Sequence, residues 1–254
     1  MHRYKLTIEY QGTHYSGWQR QPDVPTIQQA IEEAIHKFSG QNAELTVAGR
    51  TDAGVHAKGQ VAHVDFDNFT KPMDEFSIMK AINAHLRPQP ISIIAVERTS
   101  DEFNARFDAK NKLYQYRIIN RAAFLTLDQG TAWLVPKVLD IKAMQAGANH
   151  LLGHHDFSTF RDSECQANSP LRTLDRIDIQ QNAYPGGSEI QINVEAQSFL
   201  HHQVRNIVGT LSLVGLGKWQ PEDVKTTLEA KDRTKGGPTA PADGLYLVRI
   251  DYEK

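Results

Sequence analysis

Apolar and polar residues alternate over residues 3–10. Tyr4, Leu6, Ile8 and Tyr10 fall on one side and Lys5, Thr7 and Glu9 on the other, which predicts a half-buried strand. After Thr26 the period becomes helical. Ile27, Ile31, Ala34, Ile35 and Phe38 recur along one stripe, and Gln29 three residues after Thr26 makes a capping box. That is a helix of about three turns at ~3.6 residues per turn. Two β-branched runs, residues 44–48 (ELTVA) and 60–66 (QVAHVDF), predict a strand pair. A second helix, opened by Asp74, carries Phe76, Met79, Ile82 and Leu86, and residues 91–96 (ISIIAV) predict another strand. The order is β-α-β-β-α-β.

From Lys112 the same order starts again. Residues 112–120 are strand-like, and residues 140–152 place Ile141, Met144, Ala148, Leu151 and Leu152 on a helix that Gly153 should stop. Residues 172–180 and 189–197 alternate as two strands across the turn 184–187 (YPGG). Leu200, Val204, Ile207, Val208, Leu211 and Val214 mark a helix, a short helix opens at Pro221, and residues 245–252 close with a strand. The pattern predicts an α+β fold of two halves, residues 1–110 and 111–254, joined through a central, mostly antiparallel sheet with an active-site cleft between them.

The stretch with the most chemistry is residues 49–59 (GRTDAGVHAKG), the connection inside the first strand pair. Its three glycines let the backbone bend tightly, and they enclose a single acid, Asp52, beside Arg50. An Asx-turn, with Asp52 bonding its own amides, is the bland explanation; a perturbed, functional carboxylate is the sharper one. Four other stretches stand out. Arg106 lies in residues 103–109 (FNARFDA). Tyr114 and Tyr116 share one face of residues 112–117 (KLYQYR), where core packing is the simpler expectation. Arg205 sits within the otherwise apolar helix, on one stripe with His201 and Val208, and a buried arginine calls for an anionic partner. Arg161 closes an aromatic cluster, residues 156–161 (DFSTFR).

Composition narrows the chemistry. The 254 residues carry a net charge of −2, so a nucleic-acid partner would have to meet a local concentration of arginine and lysine. The single cysteine, Cys165, excludes an intrachain disulfide and a thiol-rich zinc cluster, which points to a reducing, cytoplasmic setting. No run reaches the length of a membrane span and no signal-peptide core is present, so no membrane association is expected. The pairs His154–His155 and His201–His202 are adjacent, and adjacent residues diverge on a regular helix. With no His-Glu-x-x-His spacing either, no metal is expected. Residues 215–218 (GLGK) lack the spacing of a phosphate-binding loop.

Taken together, residues 49–56 (GRTDAGVH), Tyr114 within LYQYR, residues 202–209 (HQVRNIVG) and residues 243–248 (DGLYLV) resemble the tRNA pseudouridine synthase A family. The likeness also takes in residues 17–20 (GWQR), 105–107 (ARF) and 231–233 (KDR). The resemblance implies two ferredoxin-like halves sharing the central sheet. It places the family's nucleophilic aspartate on Asp52, its active-site tyrosine on Tyr114, and the arginine paired with the aspartate on Arg205. It implies a homodimer that acts on uridines 38, 39 and 40 in the anticodon stem-loop of tRNA.

Such an isomerisation neither gains nor loses atoms, so no redox cofactor, nucleotide or other small-molecule cofactor is expected. One ionised carboxylate is a competent catalyst at a sugar centre. Arg50, Arg106 and Arg161 are then candidates for phosphate contacts that hold a flipped nucleotide, with Arg20 a further cation in the same cleft. Two other readings compete. One is an RNA-binding module without catalysis, against which stands the absence of an aromatic RNA-recognition run. The other is a hydrolase, which would release free uracil.

Overall fold

The computed structural model describes residues 1–67, 69 and 72–253. Among them the fold is mixed α/β, with mostly antiparallel sheet and five α-helices. The chain divides into two compact units, Met1–Lys110 with Tyr246–Lys254, and Asn111–Leu245.

In the first unit β1 (His2–Tyr10) buries alternate residues and is flanked on both sides. It pairs antiparallel with the long strand β3 (His56–Phe66), from His2 opposite Phe66 to Tyr10 opposite Ala57, and with β4 (Ile91–Arg98). The two-residue strand β2 (Thr46–Val47) pairs with β3 as well, so the expected strand pair exists with a very short first member. Helix α1 (Ile27–Ser39) starts where Thr26 Oγ1 accepts the Gln29 amide and ends at left-handed Gly40. Only half of the expected capping box forms, because the Gln29 side chain turns along the helix to Glu33, 2.8 Å away. Helix α2 (Glu75–Leu86) is capped by Asp74, but its buried stripe is Ile78, Ile82 and Leu86. Phe76, expected on that stripe, is exposed, since the phase set by the cap turns it to solvent.

In the second unit β5 (Asn111–Asn120) pairs antiparallel with β10 (Gly187–Ala196), which pairs with β9 (Arg176–Tyr184). Strand β6 (Trp133–Val135), which no alternation announced, runs parallel to β5. Helix α3 (Ile141–Asn149) stops before the position assigned to it. Its last turn tightens, with the His150 amide on Gly147 and the Leu151 amide on Ala148, and Gly153 instead opens β7 (Gly153–Asp156), paired with β8 (Leu171–Leu174). Helix α4 (Gln203–Gly215) packs against α3, as does α5 (Pro221–Ala230).

The closing strand β11 (Leu245–Asp251) runs parallel to β3, with Tyr246 opposite His56 and Leu247 opposite Ala57. All but its first residue belongs to the first unit, whereas the sequence reading had counted it with the second half.

Candidate active site

Asp52 sits in a loop held from several directions. The amide of Val55 bonds the Asp52 carbonyl at 3.2 Å, closing a turn over left-handed Gly54. The segment after β1 lies against this turn: the Trp18 amide donates to the Thr51 carbonyl at 3.0 Å, and the Gly54 amide donates to the Tyr15 carbonyl at 3.3 Å. That contact depends on glycine. A Cβ on Gly12 would lie 2.0 Å from the Val55 carbonyl oxygen, and one on Gly17 would lie 2.7 Å from that of Thr51. The loop ends at His56, whose Nδ1 accepts the Gly12 amide at 3.0 Å. Accepting there leaves the ring proton on Nε2. His56 is buried and stacks on Tyr246 at 4.6 Å, and Lys58 Nζ lies 5.2 Å from the centre of the same ring.

Arg50 shares the loop and is exposed. Arg106 lies on a separate turn of the same unit, exposed beside Phe107, with its guanidinium 5.6 Å from the ring centre. Asn104 Oδ1 accepts the amides of both Arg106 and Phe107, and the Ala105 amide donates to His63 Nδ1, so this turn is pinned to β3. Arg20 is also exposed and lies 3.5 Å from Glu32.

The second unit carries Tyr114 and Arg205. Tyr114 is buried in β5, opposite Val194 of β10, with its ring edge-on to Phe199 at 5.1 Å. Arg205 projects from α4 and is half-buried; its Nε donates to the Ala240 carbonyl at 2.8 Å, and its own carbonyl accepts the Ala240 amide at 3.1 Å. The strap that carries Ala240, residues 236–240, lies directly on the helix. Arg233 fastens it by donating to the Gly237 carbonyl and Thr239 Oγ1 and to Asn206 Oδ1, while Thr210 Oγ1 takes the Gly237 amide. Neighbouring Tyr116 has its phenol pushed well above the ordinary value by burial, an effect that the Arg205 charge opposes and Asp243 reinforces.

One expectation needs correction. His201 does not share a helical stripe with Arg205, because α4 begins only at Gln203 after left-handed His202. The two imidazoles therefore do not diverge: their centres are 3.9 Å apart, and His202 Nδ1 lies 2.7 Å from Asp162. Arg161, expected among the phosphate contacts, has its Nη2 committed to the carbonyls of Cys165 and Ala167 at 2.5 and 2.8 Å, where it shapes the following loop. Sequence reading missed the strap and its lock on Arg205. Residues 231–233 (KDR) were its only trace, and they carry no periodicity.

The family described as tRNA pseudouridine synthase matches residues 6–108 and 148–253, which include the Asp52 loop, α4 and the strap. A tRNA pseudouridine synthase A from Paramagnetospirillum magneticum is 55% identical over 99% of this chain and 96% of its own length. Proteins of the same name from Parvibaculum lavamentivorans and Methylocella silvestris are 52% and 53% identical over the full length of both chains. On a likeness that spans the whole chain and every element that carries the candidate residues, this chain belongs to the tRNA pseudouridine synthase family.

Proposed function

We propose that this enzyme converts uridine to pseudouridine at positions 38, 39 and 40 in the anticodon stem-loop of tRNA, with Asp52 as its essential carboxylate acting on a flipped-out nucleotide. Family membership makes the chain a pseudouridine synthase, an isomerase of uridine in tRNA. The observation that supports the role of Asp52 is its loop, a single acid on a glycine-bent turn whose backbone is bonded before and after the carboxylate; the positions follow from the resemblance to the family.

In the reaction the bond from ribose C1′ to uracil N1 breaks, the base turns, and a bond from C1′ to C5 forms. The proton leaves C5 and N1 gains one, so nothing is lost overall. Asp52 serves as nucleophile or as base toward the ribose. Tyr114 stacks on the uracil and stands near C5 to assist removal of its proton. Arg205, Arg50 and Arg106 hold the flipped nucleotide, the last two through its phosphates, and their charge favours a polyanionic partner despite the acidic total. The fold is read as two ferredoxin-like halves, the working form as a cytoplasmic homodimer.

The test is incubation of purified protein with unmodified tRNA, without added cofactor, followed by nucleoside mapping. Pseudouridine at positions 38 to 40, lost in the Asp52→Asn variant, supports the reading. Free uracil would mean hydrolysis, and modification only outside the anticodon arm would reject the assigned positions.

A further inference from the structure

The floor beneath the Asp52 loop holds more hydrogen-bonding groups than a sheet core requires. Tyr10 ends β1 fully enclosed, its ring 6.0 Å from that of Trp18. A phenylalanine there would keep that packing without bringing a hydroxyl into the core, and a buried hydroxyl is unfavourable unless it is bonded. The Tyr10 hydroxyl lies 2.7 Å from Thr51 Oγ1, next in sequence to Asp52. Gln60, fully buried in the middle of β3, donates through Nε2 to the Tyr10 oxygen at 3.4 Å and to the Gly49 carbonyl at 2.9 Å. The Tyr10 hydroxyl and Thr51 Oγ1 share one hydrogen bond, which either can donate, while the Gln60 amide fills a further lone pair of the phenol oxygen. Burial raises the Tyr10 phenol to about 12, with the Asp52 charge acting in the same sense, so the hydroxyl keeps its proton at neutral pH.

We propose that Tyr10, Thr51 and Gln60 are positioning residues for Asp52, a buried clamp that fixes the loop backbone at Gly49 and Thr51 and so aims the carboxylate. The inference rests on the reading that Asp52 carries the chemistry. Thr51 is gripped twice, at its hydroxyl by Tyr10 and at its carbonyl by the Trp18 amide. With its neighbour held on both counts, Asp52 keeps few ways to turn. Loosening the clamp lets the carboxylate wander, and misplacement of a reacting group by about 1 Å costs on the order of a hundredfold in rate.

The clamp predicts that Tyr10→Phe and Thr51→Val each lower kcat by roughly tenfold to a hundredfold while KM for tRNA stays within about twofold. The double variant should be no slower than Tyr10→Phe alone, because that single change already removes the bond that Thr51→Val removes. Thr51→Ser, which keeps the hydroxyl, should retain parental kcat. Ile82→Val, a core deletion on α2 remote from the loop, supplies a variant of comparable stability whose kcat should not move. Amide hydrogen exchange read in parallel should quicken at residues 50–55 in Tyr10→Phe and stay unchanged in α2. Parental exchange at residues 50–55, or a folded Tyr10→Phe with parental kcat, overturns the clamp. So does a double variant whose losses multiply. Because exchange is read without turnover, it decides the clamp even for a parent that forms no pseudouridine, and that outcome would reject the reading of Asp52 instead.

Discussion

Gly209 of α4 and Pro238 of the strap meet backbone to backbone: a Cβ on Gly209 would lie 1.7 Å from the Pro238 carbonyl oxygen and 3.2 Å from the Ala240 nitrogen. The obstruction is main chain, which cannot swing aside as a side chain would. Gly209→Ala should therefore lift the strap and part the two hydrogen bonds between Ala240 and Arg205. An overpacked contact of this kind costs about 1–3 kcal/mol. Thermal melting should fall accordingly, and turnover should fall further than melting alone explains, because Arg205 loses its orienting partner. An unchanged melting temperature would show that the strap does not bear on the helix.

Asp52→Asn keeps the side-chain volume and removes only the ionised oxygen. On the role proposed for Asp52, its loss should slow isomerisation by at least about three powers of ten, roughly 4 kcal/mol in the barrier. Asparagine keeps the Asp52 carbonyl that the Val55 amide bonds and leaves the Thr51 carbonyl and hydroxyl in place, so melting and tRNA affinity should stay near those of the parent. Substantial turnover by the purified variant would remove Asp52 from the chemistry.

Salt dependence separates the arginines. Arg50 and Arg106 are exposed, whereas Arg161 donates through Nη2 to two carbonyls of its own loop. Each phosphate contact contributes about 0.7 to 0.9 to the slope of log affinity against log salt. Arg50→Ala and Arg106→Ala should each flatten that slope by about this amount, and Arg161→Ala should not. A flattened slope in Arg161→Ala would return that residue to the phosphate contacts.

Acid should weaken the first unit through one identifiable pair. Arg3 clasps Asp65 with two bonds of 2.8 and 2.7 Å, and the guanidinium holds the Asp65 carboxyl below its ordinary range. A depressed carboxyl contributes stability that is present above its unfolded value, near pH 4, and is lost as pH falls through the lower folded value. For a half-exposed pair this is worth about 1 kcal/mol at most. Asp65→Asn should thus melt lower than the parent at pH 7, and the two should converge as pH falls through the lowered folded value. A gap that persisted in acid would assign the difference to packing instead of charge.

The sequence showed most of the frame because the frame is periodic. Alternation found β1, β5 and β10, and caps found α1 and α2, since Thr26 and Asp74 announce where the turn begins. What it missed depends on tertiary contact. Strand β6 is three residues long and exists through its pairing with β5, and the strap is extended chain held by Arg233 and by the absence of a Cβ at Gly209. Asp52 was legible from its glycines. The Tyr10 hydroxyl beneath it was not, because a tyrosine in an alternating strand looks like ordinary core until its partner Thr51 is seen 2.7 Å away.

The place of β11 bears on how this enzyme is made. Its parallel pairing puts Tyr246 against His56 at the end of the Asp52 loop, and the Lys110 amide donates to the Asp251 carbonyl. On the ribosome, residues 1–110 emerge long before residues 246–251, and domains fold as their segments become available. The first half to leave the tunnel is thus the last to be finished. Until the final strand arrives, β3 lacks its second neighbour at the stretch that leads out of the Asp52 loop, so a nascent or prematurely released chain carries that loop with one wall missing.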